Sequence, residues 1–283
     1  MTVPLREALC ELLTDWRADL SADWSQVLAG VEPALVAVDE RLALHPWEPI
    51  FPSRRGFVLS DEPAGAHIFR AFDDLAPEAV RCVIIGQDPY PAIGFATGRA
   101  FEIGGYHCWS GLDNMWSHSV RSLIQSVYAC RSGDPGYAVN INGWPRVLQA
   151  IRAPHSGFPP PQRLAQSWVE QGVLLLNSSF TLSRFSVAGD PHQLRGHLPL
   201  WRPLLTRLAQ YFFERNAVFL LFGEVAADLI CTSGIVARDE IERHPALVAV
   251  PHPAAADDYL KYPNPFVAGN EKLLNAGRPP VNW

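Results

Sequence analysis

Three polar side chains that could take part in chemistry each lie at the end of a short apolar run. Asp88 follows the first run, Asn177 closes the second, and His252 follows the fourth. A carboxylate can orient water, an amide can pair with a polar ring edge, and an imidazole can donate to a developing anion. If the runs are parallel strands of one sheet, their carboxyl ends share the edge where ligands bind. The spacing therefore predicts that an acid, an amide and an imidazole converge.

The turn after the first run has the sequence Gly86-Gln87-Asp88-Pro89-Tyr90. The glycine allows a sharp turn from a strand, and Pro89 fixes the backbone just after the acid. Two interpretations of Asp88 are open at this point: it caps a backbone amide of the turn, or it acts on a bound substrate. Likewise His252, which stands between two prolines, is either a rigidly aimed donor or an ordinary loop histidine.

The elements that would position these residues alternate between strands and helices. Apolar runs with the length of buried strands lie at residues 81–86, 172–177, 217–222 and 246–251. Helical patterns lie at residues 117–130, 162–171, 198–215, 224–233 and 266–275. This alternation predicts an α/β fold, a three-layer αβα sandwich with a central, mostly parallel four-stranded sheet.

The domain organisation follows from the same pass along the chain. We expect residues 1–75 to form a helical N-terminal lead-in that packs on the core, and residues 76–283 to form the α/β domain. Residues 131–161 are rich in glycine, proline and asparagine, which predicts a long loop or insertion within that domain.

Composition limits the classes of function and location. The net charge of −6 weighs against a protein that holds DNA mainly by neutralising phosphates, so any nucleic-acid contact must be local. The five cysteines are not clustered, which favours reduced thiols and weighs against a zinc site or an iron–sulfur cluster. No apolar run is long enough for a bilayer, and the N-terminus lacks the pattern of a signal peptide. We expect a cytoplasmic protein with no membrane contact.

Several segments, in the same order along the chain, resemble the motifs of the uracil-DNA glycosylase superfamily, most of all those of family 1. The resemblance runs from about Trp24 to the C-terminus. The matching segments are residues 83–101 (the first, water-activating motif), 171–178 followed by Thr181-Leu182 (the second), His192 with Gly196 (a His-x-x-x-Gly step), 219–223 (the strand before the glycine–serine loop), 251–253 (the start of the leucine loop), and 270–274 and 280–283 (the tail).

The resemblance implies a monofunctional DNA glycosylase that hydrolyses the N-glycosidic bond of a flipped pyrimidine, uracil in the first place, to leave an abasic site. By resemblance, Asp88 orients water and offsets positive charge on the sugar, and His252 donates to O2 of the leaving base. Water is the only co-substrate that this chemistry needs, so we expect neither a metal nor an organic cofactor.

The resemblance also implies a base-binding set. Asn177 would pair with N3–H and O4 of uracil, whereas cytosine presents the opposite pattern. Phe101 would stack on the flipped base, Tyr90 would lie against C5 and exclude thymine, and backbone amides near Gln87 would hold the base. Without this context, Asn177 is equally explained as a turn residue and the two aromatic rings as core.

The loops that would grip DNA depart from the family pattern. The serine loop is replaced by residues 113–119, Glu224 stands where a phosphate would approach, and residues 254–258 lack an intercalating leucine. An acid beside a phosphate costs energy. The candidate DNA contacts are Ser117, Arg184, Arg195, Ala254, Ala255 and Lys261, with Arg99 as a further cation of a small basic patch.

Three functions remain open at this stage. The chain is a uracil glycosylase that prefers single-stranded or distorted DNA, where flipping costs little; a glycosylase for another or modified pyrimidine, for example in foreign or phage DNA; or a non-catalytic module that binds nucleic acid or protein. The presence of Asp88, Asn177 and His252 together weighs against the third, and Tyr90 weighs against bulky groups at C5 in the second. We expect the protein to be a monomer.

Overall fold

The structure, a computed structural model, describes residues 2–114, 118–184 and 190–283. Its strands are β1 (Val3–Pro4), β2 (Ala43–Leu44), β3 (Cys82–Gly86), β4 (Val173–Asn177), β5 (Val218–Phe222) and β6 (Leu247–Val250). Its α-helices are α1 (Leu5–Leu12), α2 (Ala22–Val27), α3 (Ser119–Ser132), α4 (Trp144–Arg152), α5 (Pro161–Val169), α6 (Leu198–Phe213), α7 (Glu224–Thr232), α8 (Asp257–Leu260) and α9 (Pro265–Asn275).

The central sheet has four parallel strands in the order β4–β3–β5–β6. Successive side chains of a strand point to opposite faces, and both faces of β5 are covered. Phe219 meets Phe213 of α6 at a ring-centroid distance of 6.3 Å, whereas Phe222 meets Phe266 of α9 at 6.1 Å. The predicted α/β fold with helices on both sides of the sheet is therefore confirmed, and the sheet is wholly parallel.

Residues 131–161 are not a loop, so that part of the prediction was wrong. They contain α4, whose buried side chains Trp144, Val147, Leu148 and Ile151 follow the i, i+3, i+4, i+7 spacing of a helix face. The indole of Trp144 also donates to Oδ1 of Asp113 at 2.7 Å. The glycine, proline and asparagine on either side of this short helix obscured its periodicity. Whether the segment is an insertion stays a prediction.

The N-terminal segment packs on the core mainly through tryptophan. Trp24 of α2 lies 4.5 Å from Phe72 and 5.9 Å from Phe212 of α6 between ring centroids, and its indole donates to the carbonyl of Leu75 at 2.8 Å. The same segment contains a two-stranded antiparallel pair, β1 with β2, which the sequence did not predict because strands of two residues carry no periodic signal. The boundary at residue 75 stays a prediction. Among the described helices, none combines the length and apolar character needed to cross a bilayer.

The turn into β4 generates a stability prediction. Gly172 has φ +81°, and an added Cβ would lie 2.4 Å from the carbonyl oxygen of Ala79; Gly30 has φ +76° with nothing within 4 Å. We expect Gly30→Ala to lower the free energy of unfolding by about 1–2 kcal/mol through backbone strain alone. Gly172→Ala adds a backbone clash to this strain, so we expect it to lower the free energy of unfolding by more than about 3 kcal/mol. Urea unfolding of both variants checks this, and equal losses would contradict it.

Candidate active site

A cavity of about 200 Å³ opens at the carboxyl edge of the sheet. The turn after β3, the end of β4 and the loop after β6 form its walls, together with residues 95–101. Six side chains expected to act on substrate line it: Gln87, Asp88, Tyr90, Phe101, Asn177 and His252. The structure thus brings together the whole predicted catalytic and base-binding set, although their roles stay proposals.

The end of β3 leaves no room for a side chain beside the amide of Asn177 at the end of β4. Gly86 pairs with Asn177 in the parallel register, and a Cβ at position 86 would lie 2.9 Å from Oδ1 of Asn177. The carbonyl of Gly86 accepts from the backbone N–H of Ser178 at 3.0 Å and from its hydroxyl at 2.8 Å. The glycine is therefore required by close approach, and any side chain there would displace the amide of Asn177.

Asp88 is half-buried in the cavity wall, and its Oδ2 is buried without a hydrogen-bond partner among the described residues. Burial raises the pKa of this carboxyl to about 7, while a hydrogen bond from the side chain of Gln87 acts in the opposite direction. A carboxyl group with a pKa near neutrality can accept a proton from water at the pH of the cell. Asp88 thus has the properties of a general base.

His252 is neutral at the same pH. Burial lowers the pKa of its imidazole to about 4, and Nδ1 accepts from the backbone N–H of Ala254 at 3.2 Å. The proton of the neutral ring therefore resides on Nε2, for which the described residues offer no acceptor. A Cβ at Gly223 would lie 3.1 Å from Cβ of His252, so this glycine lets the end of β5 support the ring. His252 can donate to a group in the cavity without carrying charge.

Two further polar groups of the cavity lack partners among the described residues. Asn177 is buried, and no hydrogen bond joins its side-chain amide to those residues. The hydroxyl of Tyr90 is buried and unpaired, and burial raises the pKa of that phenol. A buried hydroxyl without a partner costs about 1–3 kcal/mol, which a ligand with a complementary group would recover.

Phe101 adopts a backbone conformation that is rare for an aromatic residue, with φ +60°. Its ring is T-shaped to Phe222 at 4.9 Å and lies 6.1 Å from the imidazole of His252 between centroids. The strained backbone is balanced by these contacts, which fix one ring face beside the cavity. Such a face can stack on a planar ligand.

The predicted DNA contacts are arranged differently. Ala254 lines the cavity mouth, Ala255 is exposed next to it, and Ser117 lies outside the described residues. The cations of this set each form an ion pair: Arg184 with Glu48 (2.9 Å), Arg195 with Asp39 (3.1 Å) and Lys261 with Asp258 (2.9 Å). All six stay predictions, and the three cations are partly neutralised before any phosphate arrives.

Arg99 does not belong to a basic surface patch, so that prediction was wrong. Its side chain is fully buried and donates to Oε1 of Gln166 at 2.8 Å and to Oε1 of Glu102 at 3.4 Å. The guanidinium of Arg99 also donates hydrogen bonds to the backbone carbonyl oxygens of Arg70 and Asp73. In the sequence, Arg99 stands four residues after Phe95, and this spacing does not distinguish a buried, hydrogen-bonded arginine from a surface charge.

Arg238 is a site residue that sequence reasoning missed. It pairs with Glu224 at the start of α7 and, at 2.8 Å, with Asp228 one turn later. The acid that stands at the proposed phosphate position is therefore partly offset by a cation 14 residues further along the chain, with no local pattern to reveal it. Among the described residues, no group of three or more His, Cys, Asp or Glu is placed to hold a metal ion.

The chain is similar to curated uracil-DNA glycosylases over most of its length. It is 30% identical to uracil-DNA glycosylase 1 of Streptomyces avermitilis over 224 residues, which covers 78% of this chain and 80% of the relative. It is 29% identical to the uracil-DNA glycosylase of Lactococcus lactis subsp. lactis over 273 residues, which covers 92% of this chain and 97% of the relative. No protein-family model matches the chain.

Solved structures share its fold. Mimivirus uracil-DNA glycosylase matches with a TM-score of 0.55 and 16% identity, covering 98% of this chain and 92% of that one. The UNG of Nitratifractor salsuginis matches with a TM-score of 0.56 and 20% identity, covering 95% and 94%. These likenesses concern the architecture of the sheet and its helices.

The buried carboxyl of Asp88 predicts a stability that depends on pH. Its pKa of about 7 lies above the ordinary 3.8, so burial favours the protonated form. The folded state therefore loses stability, by up to roughly 4 kcal/mol, as the pH rises from about 4 through about 7. We expect the stability of Asp88→Asn relative to wild type to grow over that range and then level off.

Urea unfolding of wild type and Asp88→Asn across that pH range measures the effect. Glu271→Gln, which removes an exposed carboxylate of α9, is the matched control and should show no such trend. A difference between wild type and Asp88→Asn that is the same at every pH would contradict the burial argument.

Proposed function

Because the chain belongs to the uracil-DNA glycosylase family, we propose that the cavity at the ends of β3 and β4 is where it releases uracil from DNA. The similarity to the two curated relatives confirms the family resemblance that the sequence motifs indicate. The enzyme is a monofunctional DNA glycosylase that leaves an abasic site. The observation that carries the assignment of the site is the convergence of a carboxyl of raised pKa, a neutral imidazole and an unpaired amide: Asp88, His252 and Asn177.

The reaction divides between the two titratable groups. As the bond from C1′ to N1 breaks, its electron pair moves to the base and positive charge develops on the sugar. The ionised carboxylate of Asp88 offsets that charge, orients a water for attack at C1′ and accepts its proton. The Nε2–H of His252 donates to O2 of the departing base, where negative charge accumulates. A neutral imidazole suits this task because its proton is already placed by the bond from Ala254 to Nδ1.

Base selection falls to the unpaired amide and the two rings. The side chain of Asn177 supplies an acceptor for N3–H and a donor for O4 of uracil, which cytosine cannot satisfy. Phe101 stacks on the flipped base, and backbone groups at Gln87 add further hydrogen bonds. Tyr90 lies against C5 of the base, so thymine, which carries a methyl group at C5, is excluded.

We further propose that the enzyme acts as a monomer on single-stranded or distorted DNA. The cavity already contains all six predicted catalytic and base-binding side chains, so the proposed chemistry needs no residue from a second chain. Arg184, Arg195 and Lys261 are engaged by carboxylates, and Ala254 and Ala255 offer only methyl groups at the cavity mouth. To act on an extended duplex, the enzyme would have to hold the DNA and draw the base out of its stack. An unpaired base requires fewer contacts with the DNA and less unstacking.

The proposed chemistry is tested with oligonucleotides, single- and double-stranded, that each carry one candidate base. Alkali cleavage then reports abasic sites. Release of uracil should increase with pH through about 7, as Asp88 ionises, and then level off. Asp88→Asn should lower the single-turnover rate by about 100-fold or more and abolish this pH dependence.

Near-wild-type activity of a folded Asp88→Asn variant would sink the mechanism. Product only from a base other than uracil would move the assignment to a different pyrimidine, and no product from any base would favour a binding module. Faster release from single strands than from duplex is the expected order, and the reverse would contradict the preference proposed above.

Tyr90 predicts a change of specificity. Tyr90→Ala should admit thymine to the cavity, because the ring that lies against C5 is removed. Tyr90→Phe is the matched control: it keeps the ring, removes the unpaired hydroxyl, and should still exclude thymine. The same assay with a thymine-containing oligonucleotide measures both, and an unchanged profile in Tyr90→Ala would place the gate elsewhere.

A further inference from the structure

Two aromatic rings lie in solvent on the segment between β2 and β3. Trp47 is 75% exposed and Phe57 is 70% exposed, and Val58 beside the second ring is 88% exposed. Large apolar side chains at such exposure are unfavourable in water, and those grouped near a site commonly contact a partner. Neither ring contributes to the core or to the cavity described above.

The loop that carries Phe57 is held in one shape. The carboxylate of Glu62 accepts from the backbone N–H of Ser53 at 2.6 Å and from that of Leu59 at 3.2 Å. The N–H of Phe57 donates to the carbonyl of Arg54 at 3.0 Å. A ring presented on a fixed loop loses little conformational entropy when it binds.

This loop lies against the outside of the cavity wall. Leu59 packs on the small cluster that contains Ala96 and Leu182, and Ala96 also lines the cavity. A Cβ at Gly94 would lie 3.3 Å from the carbonyl oxygen of Asp61, so the two loops are in direct contact. The loop that carries Phe57 is therefore a neighbour of the segment that lines the cavity.

Trp47 is placed near the loop after β4. Its ring stacks on His45, with centroids 4.5 Å apart and planes 4° apart. The next residue, Glu48, binds Arg184 at 2.9 Å, and Phe51, four residues after Trp47, belongs to the cluster on which Leu59 packs. The two exposed rings thus belong to segments that meet on one cluster beside the cavity.

The charges of the protein favour base stacking over phosphate contacts as the source of affinity for DNA. The net charge is −6, and the arginines and lysine expected at phosphates are in ion pairs. A base that leaves its stack also leaves its neighbours without a stacking partner. An aromatic face can supply that partner for any base and without charge.

We propose that Phe57 and Trp47 form a stacking platform for the unpaired bases that flank the base in the cavity. The platform rests on the proposed function, since it takes the same DNA strand. It is a binding surface and contacts none of the reacting atoms. It gives single-stranded DNA an affinity that depends little on salt.

The test is equilibrium binding of a labelled, uracil-free, single-stranded oligonucleotide at several salt concentrations. Phe57→Ala and Trp47→Ala should each weaken binding by about 5- to 100-fold, the range found when a ring that stacks on a base is removed. The slope of log Kd against log salt should not change, because no phosphate contact is lost. Phe57→Trp should restore binding, since it retains an aromatic face.

Leu274→Ala is the matched control, because Leu274 is 59% exposed near the end of α9 and outside the platform. It should bind as wild type does. If both alanine variants keep the wild-type Kd while wild type releases uracil, the platform is wrong and the proposed function stands. If their salt slope falls by about one, the lost contact is with phosphate and the stacking role is overturned. If wild type binds through the rings but releases no base, the platform stands and the proposed function fails.

Discussion

The distance between the ends of β3 and β4 constrains everything that the cavity contains. Parallel pairing sets Gly86 opposite Asn177, and the bonds from Ser178 to the Gly86 carbonyl keep the strands together after the sheet has ended. Because a side chain at position 86 would meet the amide of Asn177, the glycine lets that amide and the turn with Asp88 lie side by side at the ends of adjacent strands. His252 reaches the same cavity from β6, supported by the glycine that ends β5. A slip of one residue in either pair would turn these side chains away.

The same closeness explains the unusual protonation states. The walls that fix Asp88 and His252 also remove water from them, which raises the pKa of the acid and lowers that of the imidazole. Both shifts favour the uncharged form, so the burial of Asp88 opposes the folded state as the pH rises through about 7, and that of His252 opposes it as the pH falls below its ordinary 6.5. The cavity also keeps the hydroxyl of Tyr90 without a partner. Function and stability are in conflict here, as is common where groups are arranged for a ligand and not for each other.

Much of this arrangement could be predicted from the sequence. The four strands are uninterrupted apolar runs, and the polar residues that follow them converge because parallel strands share one carboxyl edge. What could not be predicted depends on long-range contacts. Arg99 is buried by Gln166, and Glu224 is offset by Arg238, pairings that no local spacing encodes. The helix Trp144–Arg152 has the apolar spacing of a helix face, but the glycine, proline and asparagine on either side favoured the prediction of a loop.

The contact of Trp24 with Phe212 has a consequence for the order of events during synthesis. These residues are 188 positions apart (212 − 24), so at the usual pace of translation α2 emerges roughly ten seconds or more before its partner helix. Until then the indole has only Phe72 and the carbonyl of Leu75 as partners, because the later half of the core has not been made. Apolar surface that stays exposed for this long makes the unfinished chain prone to aggregation.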